Sequence, residues 1–165
     1  MNILFRLSSA AVLCAFFSSC TTSELFPNTR KTLPELVVPY SVPAVEKDKI
    51  LSVAKNKYIE KNYPEAMLYY EDATKLFPDD GEVLLAYAAS ADMSGKFQLA
   101  DQAYRQYAKK FGVDFYYYNN AGYSMILRGN YKSARKYLLE AVKIEPSSTT
   151  VRNNITLLNK VERTL

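Results

Sequence analysis

The sequence predicts an all-α chain, a solenoid of three helix pairs closed by a C-terminal capping helix. One set of residue types recurs every 34 positions: small residues at Ala54, Ala88 and Gly122, aromatics at Tyr63, Phe97 and Tyr131, and alanine at Ala66, Ala100 and Ala134. Other positions keep the same phase, namely Tyr70, Tyr104 and Leu138, then Ala73, Tyr107 and Ala141, then Pro78, Gly112 and Pro146. Within a unit the marked residues have helical spacing, since Ala66, Tyr70 and Ala73 follow an i, i+4, i+7 pattern that puts them on one face. A fixed period of this length marks stacked units, each of which needs its neighbours to bury its apolar face.

Residues 1–19 are predicted to stand outside that fold. Arg6 precedes an apolar run from Leu7 to Phe17 that is too short to span a bilayer, and small Ser18 and Ser19 lead to Cys20, which is the layout of a secretory signal. Phe17-Ser18-Ser19-Cys20 resembles a bacterial lipobox, with phenylalanine where leucine is commoner. The resemblance implies that Cys20 becomes the first mature residue and carries the lipid. Cys14 then leaves with the leader, and no disulfide is possible. Several acyl chains hold a protein stably where one holds it marginally, each buried methylene contributing roughly 0.8 kcal/mol. Thr21, not an acid, follows the cysteine. By resemblance to enterobacterial sorting this implies the periplasmic face of the outer membrane.

Residues 20–45 carry Pro27, Pro34, Pro39 and Pro43 and have no helical period. They read as a tether biased towards extended backbone at about 3.1 Å per residue. The apolar stretch from Leu36 to Tyr40 leaves two other readings open: packing on the first unit, or adding to a partner's sheet edge.

The repeat domain occupies residues 46–165, with units at about 47–80, 81–114 and 115–148 and a capping helix at 149–163. The helix pairs are predicted at about 46–77, 80–111 and 114–145. Gly95 and Gly129 fall between the helices of units two and three, where a left-handed cap favours glycine, and Lys61 takes that slot in unit one. Pro64 suits a first helical turn, Asp79 and Glu82 have capping-box spacing, and Ser148 or Thr149 can cap the last helix. That helix places Ile155, Leu158 and Val161 on one side among polar residues, as a closing cap requires. With Gly122, Gly129, Tyr131, Ala134, Ala141 and Pro146 in their expected slots, the third unit resembles the tetratricopeptide repeat. The second departs from that pattern at Tyr107 and Gly112.

Composition narrows function. The chain has no histidine, so imidazole metal sites and histidine-based triads are excluded. No Gly-x-x-x-x-Gly-Lys run exists to cradle phosphate, and the carboxylates fall at caps or on polar helix faces, so neither an enzyme nor a cofactor is expected. Of 21 basic residues Arg6 goes with the leader, which leaves 20 against 17 acidic ones and a net charge of about +3. That is a weak excess without the basic, aromatic-interleaved stripe of a nucleic-acid binder.

The repeat resemblance implies a concave groove lined by positions 2, 5, 9 and 12 of each first (A) helix. These are Asp48, Leu51, Lys55 and Tyr58, then Glu82, Leu85, Ala89 and Asp92, then Tyr116, Asn119, Tyr123 and Ile126. The expected partner-binding residues are Leu51, Lys55, Tyr58, Leu85, Asp92, Tyr116, Asn119, Tyr123 and Ile126. Unit three is the expected reading head, because tyrosine gives large contact area at low rotamer cost and asparagine can satisfy an extended backbone. Many of the 14 tyrosines, including Tyr63, Tyr70, Tyr104 and Tyr131, take core positions of the period.

Residues 119–158 resemble the TadD family of tight-adherence (Flp) pilus lipoproteins. The likeness lies in Asn119-Asn120-Ala121-Gly122, Arg128-Gly129-Asn130-Tyr131, Ala134, and Pro146 followed by Val151-Arg152-Asn153-Asn154. The resemblance implies a pilotin or assembly factor that binds a secretin, or another pilus or secretion component, as a peptide or helix segment. The alternative is a general envelope scaffold for outer-membrane protein or cell-wall assembly.

Overall fold

The computed structural model describes residues 41–164. The expected leader, the expected lipidation residue Cys20 and the expected tether up to residue 40 lie outside the described residues. Seven α-helices and no strand occur among the described residues: α1 (Ile50–Ile59), α2 (Tyr63–Leu76), α3 (Gly81–Met93), α4 (Phe97–Phe111), α5 (Phe115–Leu127), α6 (Tyr131–Ile144) and α7 (Thr149–Glu162). The expected all-α class holds, and the helix ends follow the 34-residue phase.

Helix starts repeat with that phase because the capping side chains do. Asp80 accepts from the amides of Glu82 and Val83 at 2.9 and 3.2 Å, and Asp114 accepts from that of Tyr117 at 2.9 Å. Ser148 holds the equivalent place before α7, although its hydroxyl makes no cap bond. At the second helix of each unit Asn62 and Asn130 cap α2 and α6, while Lys96 occupies the slot without a side-chain bond. The capping box expected of Asp79 and Glu82 is corrected to a simple N-cap at Asp80, which directly precedes the first helical residue and so lies beneath the free amides. Asp79 instead pairs with Lys110 at 2.5 Å.

The turns between paired helices share one backbone shape. Gly95 and Gly129 both have φ +71°, and Lys61 adopts φ 61° in the equivalent place. A side chain there costs roughly 1–2 kcal/mol, so unit one tolerates strain that the other two avoid.

The first helix begins at Ile50, not near 46 as expected. Residues 47–49 form a turn, and Lys49 has no oxygen with which to cap. Upstream, Val42 and Val45 pack on the core formed by Ile50, Ala54, Tyr69, Ala73 and Val83. The last residues of the expected tether therefore cover the first helix pair, while Leu36 to Tyr40 lie outside the described residues.

Packing follows the small residues. Ala54, Ala88, Ala66, Ala100 and Ala134 are all fully buried, and Gly122 is buried with them. A Cβ at Gly122 would stand 2.7 Å from the Leu138 side chain and 3.3 Å from its backbone nitrogen, so α5 and α6 touch more closely than any larger residue permits. Neighbouring helices pack throughout, and α3 meets α5 as α5 meets α7. The α4 and α5 backbones approach least. Tyr107 explains this, since it stands where Ala73 and Ala141 stand in the other units. Its ring lies 5.2 Å from Phe111 and 6.4 Å from Tyr117, and its hydroxyl donates to Asp114 at 2.8 Å. An aromatic spacer thus replaces a direct backbone contact.

Gly122→Ala is expected to destabilise the chain by about 1–3 kcal/mol, because Leu138 cannot withdraw without moving its helix. Urea unfolding followed by circular dichroism reads this directly.

Candidate partner-binding face

The expected groove residues divide into two sets. At roughly 100° per residue, A-helix positions 2 and 9 lie within about 20° of each other, whereas positions 5 and 12 sit roughly 60–80° further round. Burial follows that division. Lys55 and Tyr116 are exposed and Tyr123 is half-buried, as are Leu51 and Tyr58 at the open first unit. Leu85, Asp92, Asn119 and Ile126 are buried, Ile126 completely. The expectation that these four line an open groove is corrected: their edge of the helix is covered by the next A helix, as α3 packs on α5 and α5 on α7. Leu85 joins the core with Ala88 and Tyr104, and Ile126 joins that with Leu138 and Leu158. What remains open is the row of Asp48, Lys55, Glu82, Tyr116 and the partly open Ala89 and Tyr123.

Asp92 has a structural task. Its Oδ1 accepts from Ser124 Oγ at 2.9 Å and from an Arg128 guanidinium nitrogen at 3.0 Å, and its Oδ2 accepts from the Tyr104 hydroxyl at 3.0 Å. Arg128 also pairs with Asp101 at 2.8 Å and lies over the Phe97 ring, 4.7 Å from its centroid. One carboxylate on α3 therefore ties together α4, α5 and the turn after α5. Burial raises the Asp92 pKa, and the Ser124, Arg128 and Tyr104 contacts oppose that rise without cancelling it. The Tyr104 hydroxyl is pushed well up by its own burial and by Asp92.

Asn119 is likewise internal. Its carbonyl accepts from the Asn154 amide at 2.9 Å, which links α5 to the last helix inside the core. Tyr58 is set edge-on to Tyr63 with centroids 5.1 Å apart, and its hydroxyl is buried without a hydrogen-bond partner among the described residues. Burial first, then the nearby Tyr63, Tyr123 and Tyr70, push that hydroxyl well above its ordinary pKa. Tyr116 is 42 % exposed and lies edge-to-face with the Phe115 ring, centroids 5.4 Å apart.

Sequence reasoning missed Tyr104, Ser124, Arg128 and Asn154 as polar partners. The one signal available was an acid, Asp92, set within a largely apolar helical run. Among the described residues no group of histidine, cysteine or acidic side chains could hold a metal ion, and no helix is long and apolar enough to cross a membrane. No protein-family model matches the chain, and no curated protein matches it.

Asp92→Ala is expected to cost about 3 kcal/mol at neutral pH, since Arg128, Ser124 and Tyr104 lose a buried acceptor while Asp101 still holds the guanidinium. Because the folded pKa is raised, the folded chain binds the proton more readily than the unfolded one. Stability linked to this group is therefore greatest below about pH 3.8 and falls as pH rises through the higher folded value, then stays level. Asp92→Asn should abolish that drift in a urea-unfolding series across acid pH.

Proposed function

We propose that this chain is a tetratricopeptide-type repeat solenoid that holds a protein segment along the open row of its A helices. With lipid on Cys20 it acts as an outer-membrane pilotin or assembly factor for a pilus or secretion machine of the tight-adherence (Flp) kind, without enzymatic activity. The observation that carries this reading is the 34-residue recurrence of buried small residues together with the helix caps, which leaves one edge of each A helix unclaimed by packing. That edge runs from charged Lys55 and Glu82 to aromatic Tyr116 and Tyr123, the mix that suits an extended or helical segment with both polar and apolar side chains. The buried Asp92 and Asn119 contacts hold neighbouring A helices in register, so the row is fixed before a partner arrives. Anchoring then raises the partner's effective concentration at the membrane.

The test is affinity capture of the lipidated chain with mass spectrometry of what accompanies it. A pilus or secretin component is expected. Tyr116→Ala with Lys55→Ala should reduce its capture about tenfold with unchanged circular dichroism. Cys20→Ala should leave capture intact in solution while the partner no longer reaches the outer membrane. Undiminished capture by the first variant, or normal partner localisation with the second, contradicts the reading.

A further inference from the structure

Two further faces lie on the sides of α4 and α6 away from their buried alanines. At roughly 100° per residue, Lys132, Lys136, Leu139 and Lys143 fall within about 60° of arc on α6. The equivalent positions of α4, each 34 residues earlier, are Gln98, Gln102, Arg105 and Lys109. All eight are exposed and none is acidic. Arg105, Lys109, Lys132 and Lys136 make no ion pair among the described residues, while Lys143 pairs with Glu140 on its own helix at 2.7 Å. Nearby acids are already engaged, Asp101 with Arg128 and Glu162 with Arg135. The same stripe in α2 is partly buried and carries Pro64, Leu68, Glu71 and Lys75, so the basic character belongs to units two and three alone.

Leu139 decides what this surface fits. It is 49 % exposed and lies between Lys136 and Lys143 along the helix, at the edge of the basic arc. A solvated charged face gains nothing from an exposed leucine between lysines, whereas an interfacial helix uses cations for phosphate headgroups and an apolar residue for the acyl boundary.

We propose that the outer face of α4 and α6 is a docking surface for an anionic phospholipid bilayer, with Arg105, Lys109, Lys132 and Lys136 meeting headgroup phosphates and Leu139 entering the interface. This holds whether or not Cys20 carries lipid, so it stands apart from the pilotin reading. In that reading it would lay the chain along the membrane and turn the A-helix row outward.

The experiment uses the full chain with Cys20→Ser, so that no acyl chain contributes, and measures co-flotation with vesicles of phosphatidylcholine alone or with phosphatidylglycerol added. The readout is the ratio of the two partition coefficients, compared between the chain and each variant so that the contribution of the leader and its Arg6 is common to both. The expected ratio is well above one at low salt and falls steeply with added salt. Lys132→Gln with Lys136→Gln should lower it at least tenfold. Leu139→Ser should weaken binding to the anionic vesicles without changing the salt slope. A ratio near one, or a ratio unchanged by the double substitution, overturns the proposal. Poly-glutamate binding as tight as the anionic vesicles and indifferent to Leu139→Ser would assign the face to an acidic protein instead, and would equally overturn it.

Discussion

Close approach of helix backbones at small residues is the constraint from which the rest of this structure follows. Ala54, Ala88 and Gly122 on the first helices and Ala66, Ala100 and Ala134 on the second are buried where neighbours meet, and Gly122 has no room even for a Cβ. Leu138, fully buried against Gly122, gains roughly 1.5–3 kcal/mol from leaving water only because the glycine lets its helix come near. Where the pattern breaks, at Tyr107, the backbones stand apart and an aromatic ring with one hydrogen bond to Asp114 fills the gap. The Asp92 contacts join α3 to α4 and to α5, so a polar anchor links the two helices whose backbones stand furthest apart among consecutive pairs.

The same constraint shapes the surfaces. Once α3 packs on α5 and α5 on α7, one edge of α3 and of α5 is consumed by its neighbour and the other is left open. The second helices bury their alanines inward and turn their polar stripes outward. The two free faces differ in character, one mixed and aromatic and the other basic with one exposed leucine, and they share no residue.

Much of the fold was legible in the sequence because a 34-residue phase is a strong, redundant signal: helix pairs, turn glycines and the last helix all fall within a few residues of expectation. The first helix was placed too early because Glu46, Lys47, Asp48 and Lys49 look helical in composition, and only the packing of Val42 and Val45 shows that the chain there is still a covering strap. The proposed binding face was half legible. A stripe at positions 2, 5, 9 and 12 is one face of an isolated helix, but which of its edges a neighbour covers depends on how helices 34 residues apart meet. Asp92, an acid among alanines, read as a groove residue because its partners Tyr104, Ser124 and Arg128 lie 12, 32 and 36 residues away.

Residue-resolved hydrogen exchange under native conditions tests the close-packing account most directly. The mid-helix amides of Ala88, Tyr104, Gly122 and Leu138 should exchange only through unfolding of the whole chain, with one shared free energy, because each lies at a helix contact that cannot open alone. Exchange at Gly122 or Ala88 as fast as at exposed Tyr116, or with free energies that differ between units two and three, would show that the helices are not held together at these small residues.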